Sequence, residues 1–226
     1  MKSKRITIIC GHYGSGKTTF SINYALYLRN QTSKDIYIAD LDVVNPYFRS
    51  REHFDYLKDK NIKVIGSYLP QSGADLPAVS AEVYTLFNNK NIIGIVDMGG
   101  NSAGSLSFAT FRDNVDIEET DIIFILNANR EENSTLEFAL GHFNSIESTL
   151  GLKITGIVNN THLMNDTTIE DINKGELISS ELSKEKNISV KFTCINMDFF
   201  DNNPNIKTKY DLFLIGYDIK TVTNII

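Results

Sequence analysis

Two hydrophobic rhythms alternate along this 226-residue chain. Short apolar, β-branched runs stand at 6–10, 35–40, 61–65, 91–97, 122–126, 153–159 and 189–195, most of them bounded by Gly, Asn or Asp. Runs of that length and composition predict buried strands. Between them the period lengthens. Residues 19–29 carry Phe20, Ala25, Leu26 and Leu28, and a segment from 78 carries Val79, Val83, Leu86 and Phe87. Leu136, Ala139, Leu140, Phe143, Ile146 and Leu150 mark one face of a long helix. These spacings predict core-facing helices, with a short one at 102–111 and another at 167–186 interrupted near Gly175.

Strand–helix alternation predicts parallel βαβ units. The expected fold is α/β and doubly wound, a mostly parallel sheet of about seven strands with helices on both faces. No repeat, low-complexity tract or linker divides the chain, so 1–226 is expected to form a single domain. The tail at 202–226 shows no clean period, although 210–215 is apolar enough for a strand or a buried helix.

The first strand and first helix enclose Gly11-His12-Tyr13-Gly14-Ser15-Gly16-Lys17-Thr18, which matches G-x-x-x-x-G-K-[ST], the phosphate-binding loop. Strand before and helix after is the context this motif requires. Its glycines let successive N–H groups turn into one anion-sized hollow, and the positive end of the helix adds to that field. Residues 11–18, with Thr19 behind them, are therefore expected to bind a nucleoside triphosphate. Lys17 is expected to reach the β- and γ-phosphates, and the Thr18 hydroxyl to be a ligand for Mg²⁺.

Two further strand ends carry carboxylates. Ile92-Ile93-Gly94-Ile95-Val96-Asp97 precedes Met98-Gly99-Gly100. Downstream of a phosphate loop, an apolar strand ending in Asp predicts the Walker B role, with Asp97 holding Mg²⁺. Gly99 and Gly100 would let the backbone approach a terminal phosphate and rearrange when it leaves. In Asp40-Leu41-Asp42 the two carboxylates share one face of an extended chain, at the edge of a parallel sheet where ligands bind. Ordinary turn-forming aspartates would read the same way. The loop at 66–77, rich in turn formers, fits either a lid or a plain connection.

Composition narrows the partners. A net charge of −6 and a pI near 5.2 argue against nonspecific nucleic-acid binding. The acidic stretch at 113–121 reads as solvated surface. Cys10 and Cys194 each close an apolar run and read as buried thiols. The histidines are scattered without metal-ligand spacing, which leaves Mg²⁺ brought with the nucleotide as the expected metal. No signal peptide, membrane-spanning run or lipidation motif stands out, so a cytoplasmic protein is expected.

With these residues in place, the chain resembles the CobQ/CobB/MinD/ParA family of SIMIBI-type P-loop nucleotide-binding proteins over roughly residues 5–195. The resemblance is carried by the phosphate loop, Asp40-Leu41-Asp42, Asp97-Met98-Gly99-Gly100 and Gly156-Ile157-Val158-Asn159-Asn160. The run Asp42-Val43-Val44-Asn45-Pro46-Tyr47-Phe48-Arg49 is similar to a subgroup of bacterial proteins known only as ATP-binding. The family implies ATP and Mg²⁺ as cofactors. It implies that Asp42 orients the attacking water, Asp40 supports the Mg²⁺ shell, Asp97 binds the metal and Asn159 hydrogen-bonds the base. Read as a residue alone, Asn159 is also a turn former ending a strand. No Asn-Lys-x-Asp guanine signature is present, which favours ATP over GTP.

One position departs from the family pattern. Dimerising members carry a lysine near the start of the loop that reaches the partner's nucleotide, and His12 stands there in this chain. A cation supplied in trans is worth ~10³–10⁵ in the rate of phosphoryl transfer. Arg49, Arg51, Arg112 and Arg130 are candidates to replace it, and each equally reads as a surface arginine.

The resemblance implies an ATPase that acts as a nucleotide-dependent switch, ordering 42–51 and 99–105 and engaging either a second copy in an ATP-dependent homodimer or another protein partner. The alternative is a small-molecule kinase or ATP-dependent ligase resembling dethiobiotin synthetase, its substrate held by 67–78 through Tyr68, Gln71 and Asp75. An iron–sulfur carrier would need cysteines near 98–105, and a DNA-partition ATPase would need basic residues. A membrane-positioning ATPase would need a basic amphipathic C-terminal helix. The chain shows none of these, so no nucleic-acid or membrane partner is expected.

Overall fold

The computed structural model describes residues 4–42, 51–66, 82–99, 108 and 110–216, and of 51–54 the backbone alone. Strands β1 (Ile6–Cys10), β2 (Asp35–Leu41), β3 (Ile62–Ile65), β4 (Ile92–Met98), β5 (Thr120–Leu126), β6 (Gly156–Asn159), β7 (Ser189–Asn196) and β8 (Leu212–Ile215) form one sheet. Every pairing is parallel, in the order β3-β2-β4-β1-β5-β6-β7-β8. The described helices are α1 (Lys17–Arg29), α2 (Arg51–Asp59), α3 (Val83–Asn88), α4 (Leu136–Leu150), α5 (Ile169–Lys186) and α6 (Met197–Asn202).

The two-residue period of the strands divides the core into two layers. Ile6, Ile8 and Cys10 of β1 pack with Val83 and Leu86 of α3, Ala139 and Phe143 of α4, and Ile178 and Leu182 of α5. Ile9 points the other way, joining Ile38 and Ile95 against Phe20, Ala25 and Leu28 of α1 and Leu57 of α2. Central strands covered on both faces read as unbroken apolar runs, which is why the α/β, doubly wound expectation succeeds.

Several boundaries differ from the sequence expectation. The sheet has eight strands rather than about seven. The additional strand, β8, pairs with β7 from Thr193↔Leu212 to Asn196↔Ile215. Four residues are too short to show a period, and Phe213 is recruited there by ring contacts with Phe20, Tyr27 and Phe192. Strand β6 starts at Gly156, because the Ile154 N–H is taken by Glu147 of α4 at 3.0 Å instead of extending the ladder. Strand β5 starts at Thr120, inside the stretch expected to be solvated loop.

Helix α5 runs without the interruption expected near Gly175. A Cβ at Gly175 would collide with Thr161 Oγ1 and Asn159 Oδ1, so the glycine lets the helix approach the end of β6 closely. The expected helix from 78 is seen as α3 from Val83, and 67–81 lies outside the described residues, as does most of the expected helix at 102–111. Both cysteines are free and buried as expected; burial pushes Cys10 up to about 12 and Cys194 higher still. Among the described residues no helix is long and apolar enough to cross a membrane.

Candidate functional site

Register brings the site together. Ile9 of β1 lies opposite Asp97 of β4, which lies opposite Asp40 of β2. The chain leaving β1 at Cys10 therefore enters the glycine-rich loop beside both carboxylate-bearing strand ends. Asp40 and Asp97 share the parity of Ile38 and Ile95, so they face α1, the helix that the loop opens.

The loop folds into α1 through Gly16, which has φ 85° and serves as the helix N-cap. A Cβ there would overlap the Asn160 amide, and Asn160 Nδ2 donates to the Ser15 carbonyl at 2.8 Å. The Lys17 ammonium bends back across the loop and donates to the His12 carbonyl at 3.0 Å. It is only 5% exposed, and burial holds its pKa below the ordinary lysine value while Asp97 and Asp42 pull it back up. A buried ammonium resting on a loop carbonyl is poised to exchange that oxygen for a phosphate oxygen.

The carboxylates form one wall of this hollow. Thr18 Oγ1 donates to Asp97 Oδ2 at 2.6 Å, while Asp97 Oδ1 is buried with no partner in hydrogen-bond geometry, the nearby Ser21 hydroxyl only weakly favouring the carboxylate. Burial raises the Asp97 carboxyl to about 6, outweighing the Thr18 hydrogen bond and the Lys17 charge. Asp40 Oδ1 accepts the Asp42 N–H at 3.1 Å, so the two readings of that pair coincide: Asp40 shapes the strand end and remains buried in the crevice. An orphaned carboxylate oxygen beside a threonine hydroxyl, with a second carboxylate on the next strand, is a donor set that fits Mg²⁺.

Amides, imidazoles and one guanidinium form the opposite wall. Arg130 Nε donates to the Gly14 carbonyl at 3.0 Å. His12 Nε2 lies 3.3 Å from Glu132 Oε1, and the His12 ring meets His142 edge-on at 5.2 Å. Burial first, then the neighbouring His12, lowers His142 to about 4, so it is neutral at pH 7. Asn159 is almost wholly buried. Its Oδ1 accepts from Thr161 Oγ1 at 2.7 Å and Thr161 N at 3.2 Å, and its Nδ2 donates to the Ile172 carbonyl at 3.4 Å. Asn159 thus ties β6 to α5, while Asn160, pointing to the other side, ties β6 to the loop.

The remaining site candidates divide clearly. Thr19 lies in the first turn of α1, its carbonyl accepting from Asn23 at 2.8 Å. Tyr13 projects from the loop, 64% exposed, and Ser15 Oγ is buried without a partner. Gly99 directly follows β4, and Gly100 lies outside the described residues. Of the arginine candidates, Arg112 pairs with Asp113 at 3.6 Å and lies against Gly151, beyond the far end of α4. Arg49 and the Arg51 side chain lie outside the described residues. Sequence reading assigned no role to Asn160 or His162; the Asn159-Asn160 pair could have revealed the first, since neighbouring strand residues face opposite sides.

No family model and no curated protein match the chain. Solved structures do. The cell division protein FtsY of Thermotoga maritima aligns over 86% of this chain and 62% of its own, at 20% identity and a TM-score of 0.59. FtsY of Mycoplasma mycoides aligns over 83% of this chain and 58% of its own, at 15% identity and a TM-score of 0.55. The signal recognition particle 54 kDa protein of Aeropyrum pernix, solved in complex with GDP, aligns over 85% of this chain and 41% of its own, at 17% identity and a TM-score of 0.56. The chain spans less than two thirds of the length of each of these structures. At such identities the likeness is one of architecture, and this chain has the α/β P-loop NTPase fold.

Proposed function

We propose that this chain binds ATP with Mg²⁺ at residues 11–18 and hydrolyses it in the cytoplasm as a nucleotide-dependent switch. The observation that carries the reading is the 2.6 Å bond from Thr18 to a buried Asp97 whose other oxygen has no partner in hydrogen-bond geometry. Such a pair is costly to bury unless a cation completes it. The finer affinity with MinD- and ParA-type proteins rests on the sequence motifs.

Lys17 exchanges the His12 carbonyl for β- and γ-phosphate oxygens; burial lowers its pKa, and the charges of Asp97 and Asp42 oppose that shift. Thr18 and Asp97 hold Mg²⁺, with Asp40 supporting its shell. When bound, the ion supplies charge compensation on the phosphoryl group. Asp42, just past the end of β2, accepts a hydrogen bond from the attacking water and orients it. Gly99 and Gly100 respond to the terminal phosphate. Base recognition falls to the end of β6. For Asn159 to meet the base, its long 3.4 Å bond to the Ile172 carbonyl must yield. The residues there, Asn159-Asn160-Thr161-His162, contain neither the lysine nor the aspartate of a guanine signature. That supports ATP, although the signal recognition particle structure carries GDP.

Lys17→Ala is expected to weaken ATP binding on the order of 10²–10³-fold, the cost of removing one partner of a buried charged contact. Unchanged affinity in a titration would sink the nucleotide reading. Asp42→Ala is expected to bind ATP and stop hydrolysing it. Light scattering on that variant then separates the partners. A mass that doubles with Mg²⁺-ATP supports a homodimer, and a bound monomer supports another protein.

One observation favours the second reading, a kinase or ATP-dependent ligase. His12, at the position of the trans-acting lysine, is engaged within its own chain by Glu132. A small molecule that stimulates turnover would decide for that reading.

A further inference from the structure

Arg130 follows β5 in a turn that is unusually well fastened. Its N–H donates to the Asn127 carbonyl at 3.0 Å. Asn127 is fully buried, and its Oδ1 accepts the N–H of Asn129 at 3.0 Å and of His162 at 3.4 Å. Asn129 Nδ2 is tied in turn to Asp171 of α5 at 2.8 Å. The arginine is therefore displayed from a rigid support.

Its side chain lies on the phosphate loop. Nε donates to the Gly14 carbonyl, and a Cβ on Gly14 would stand 3.0 Å from Cζ, Nε and Nη2 alike. Any larger residue at 14 would push the guanidinium away. A guanidinium has five donors in a planar fork. Arg130 is exposed, and with Nε placed on the loop its two Nη groups make no hydrogen bond to the described residues. Among the described residues no carboxylate forms an ion pair with Arg130. The other groups that could supply a cation on this wall are accounted for: His12 is against Glu132, and burial keeps His142 neutral. His162, lowered to about 4 by burial and then by Arg130 itself, is neutral as well.

We infer that Arg130 is a phosphate-binding cation acting in cis. When a nucleoside triphosphate fills the loop, the guanidinium contacts its terminal phosphoryl oxygens. One subunit then supplies the charge compensation that a lysine at position 12 would otherwise carry to a partner. The inference rests on the nucleotide reading above. In hydrolysis the water oxygen bonds to the γ-phosphorus, and the bond to the bridging oxygen breaks with its electron pair left on the diphosphate. The water proton passes to the released phosphate. Arg130 opposes the negative charge of the transferring group throughout and exchanges no proton.

The test uses the whole chain with Arg130→Ala and Arg130→Lys, reading affinity for ADP, affinity for a slowly hydrolysed ATP analogue, and single-turnover hydrolysis. Arg130→Ala is expected to leave ADP affinity within about twofold, to weaken the triphosphate analogue about tenfold, and to slow hydrolysis by ~10³-fold. Arg130→Lys is expected to recover part of the rate, since it keeps the charge without the fork. Equal losses for di- and triphosphate would overturn the inference, because they describe an arginine that only fastens the loop. Unchanged binding and turnover would overturn it too. If the unmodified chain binds neither nucleotide, the phosphate-loop reading has itself failed, and Arg130 falls with it.

Discussion

The two walls of the phosphate loop differ in the charge they leave unanswered. Each has a buried polar atom without a hydrogen bond, a carboxylate oxygen of Asp97 on one side and the Nε2 of a neutral His142 on the other, and only the first calls for a cation. On the β2–β4 side stand Asp40, Asp42, Asp97 and Thr18, with one buried carboxylate oxygen unpartnered and the Asp97 carboxyl raised to about 6. On the β5–β6 side, Asn160 and Arg130 each donate to a loop carbonyl, and Asn127, Asn159 and Thr161 bond among themselves and to nearby backbone. A low-dielectric interior makes an incomplete polar network costly and a complete one rigid. The acidic wall is thus built to be finished by a cation, and the amide wall to hold the loop in shape before any ligand arrives.

The largest effect that would test this contrast comes from Asp97→Asn. The carboxyl moves from an ordinary 3.8 to about 6 on folding, which corresponds to roughly 3 kcal/mol of strain at neutral pH. Replacing it with a neutral isostere is expected to raise the urea midpoint of the metal-free chain while shrinking the further rise that Mg²⁺ adds over nucleotide alone. A lower midpoint in the metal-free variant would mean that the acidic wall is already satisfied, and the contrast would collapse.

On the amide wall the expected sign is reversed. Asn160→Ala removes a donor from the buried Ser15 carbonyl and opens space beside Gly16. It should destabilise the chain by about 1–2 kcal/mol, a typical cost for an orphaned buried acceptor. Nucleotide affinity should fall with it, because the loop loses its brace. Denaturation and titration of the same sample check both halves; a loss of affinity without a loss of stability would make Asn160 a ligand contact instead.

The walls also differ in how far they could be read from the chain. The acidic wall is local. Strand β1, the loop and Asp97 each sit at the end of an unbroken apolar run, and parallel topology brings those ends together whatever the details. The amide wall depends on contacts that no local period carries. Arg130 meets Gly14 across 116 positions, and Asn160 meets Ser15 across 145. Gly175 shows the same limit. Its helix-breaking tendency is a local property, whereas the reason for its presence is a close approach to Asn159 and Thr161 in another element. Strand β8 is legible only as an apolar patch, because its partner strand and the ring contacts of Phe213 supply what four residues cannot.

The smallest expected effect separates the walls by sign. His142 and His162 are lowered from 6.5 to about 4, so between those values the unfolded chain binds more protons at these sites and stability rises with pH. Asp97 is raised from 3.8 to about 6, so there the folded chain holds the extra proton and stability falls with pH. Glu119 and Asp171, lowered from 4.5 and 3.8, act below this window. Two histidines against one carboxylate leave about one proton taken up on unfolding near pH 5, a slope of about 1.4 kcal/mol per pH unit before solvent screening of the half-buried His142 reduces it. Urea midpoints should therefore climb between pH 4.5 and 6.5. Asp97→Asn should steepen the climb by removing the opposing site, and His142→Phe should flatten it. Should Asp97→Asn leave the climb unchanged instead, the folded carboxyl would titrate below this window, ionised and paired. The acidic wall would then be complete without a metal.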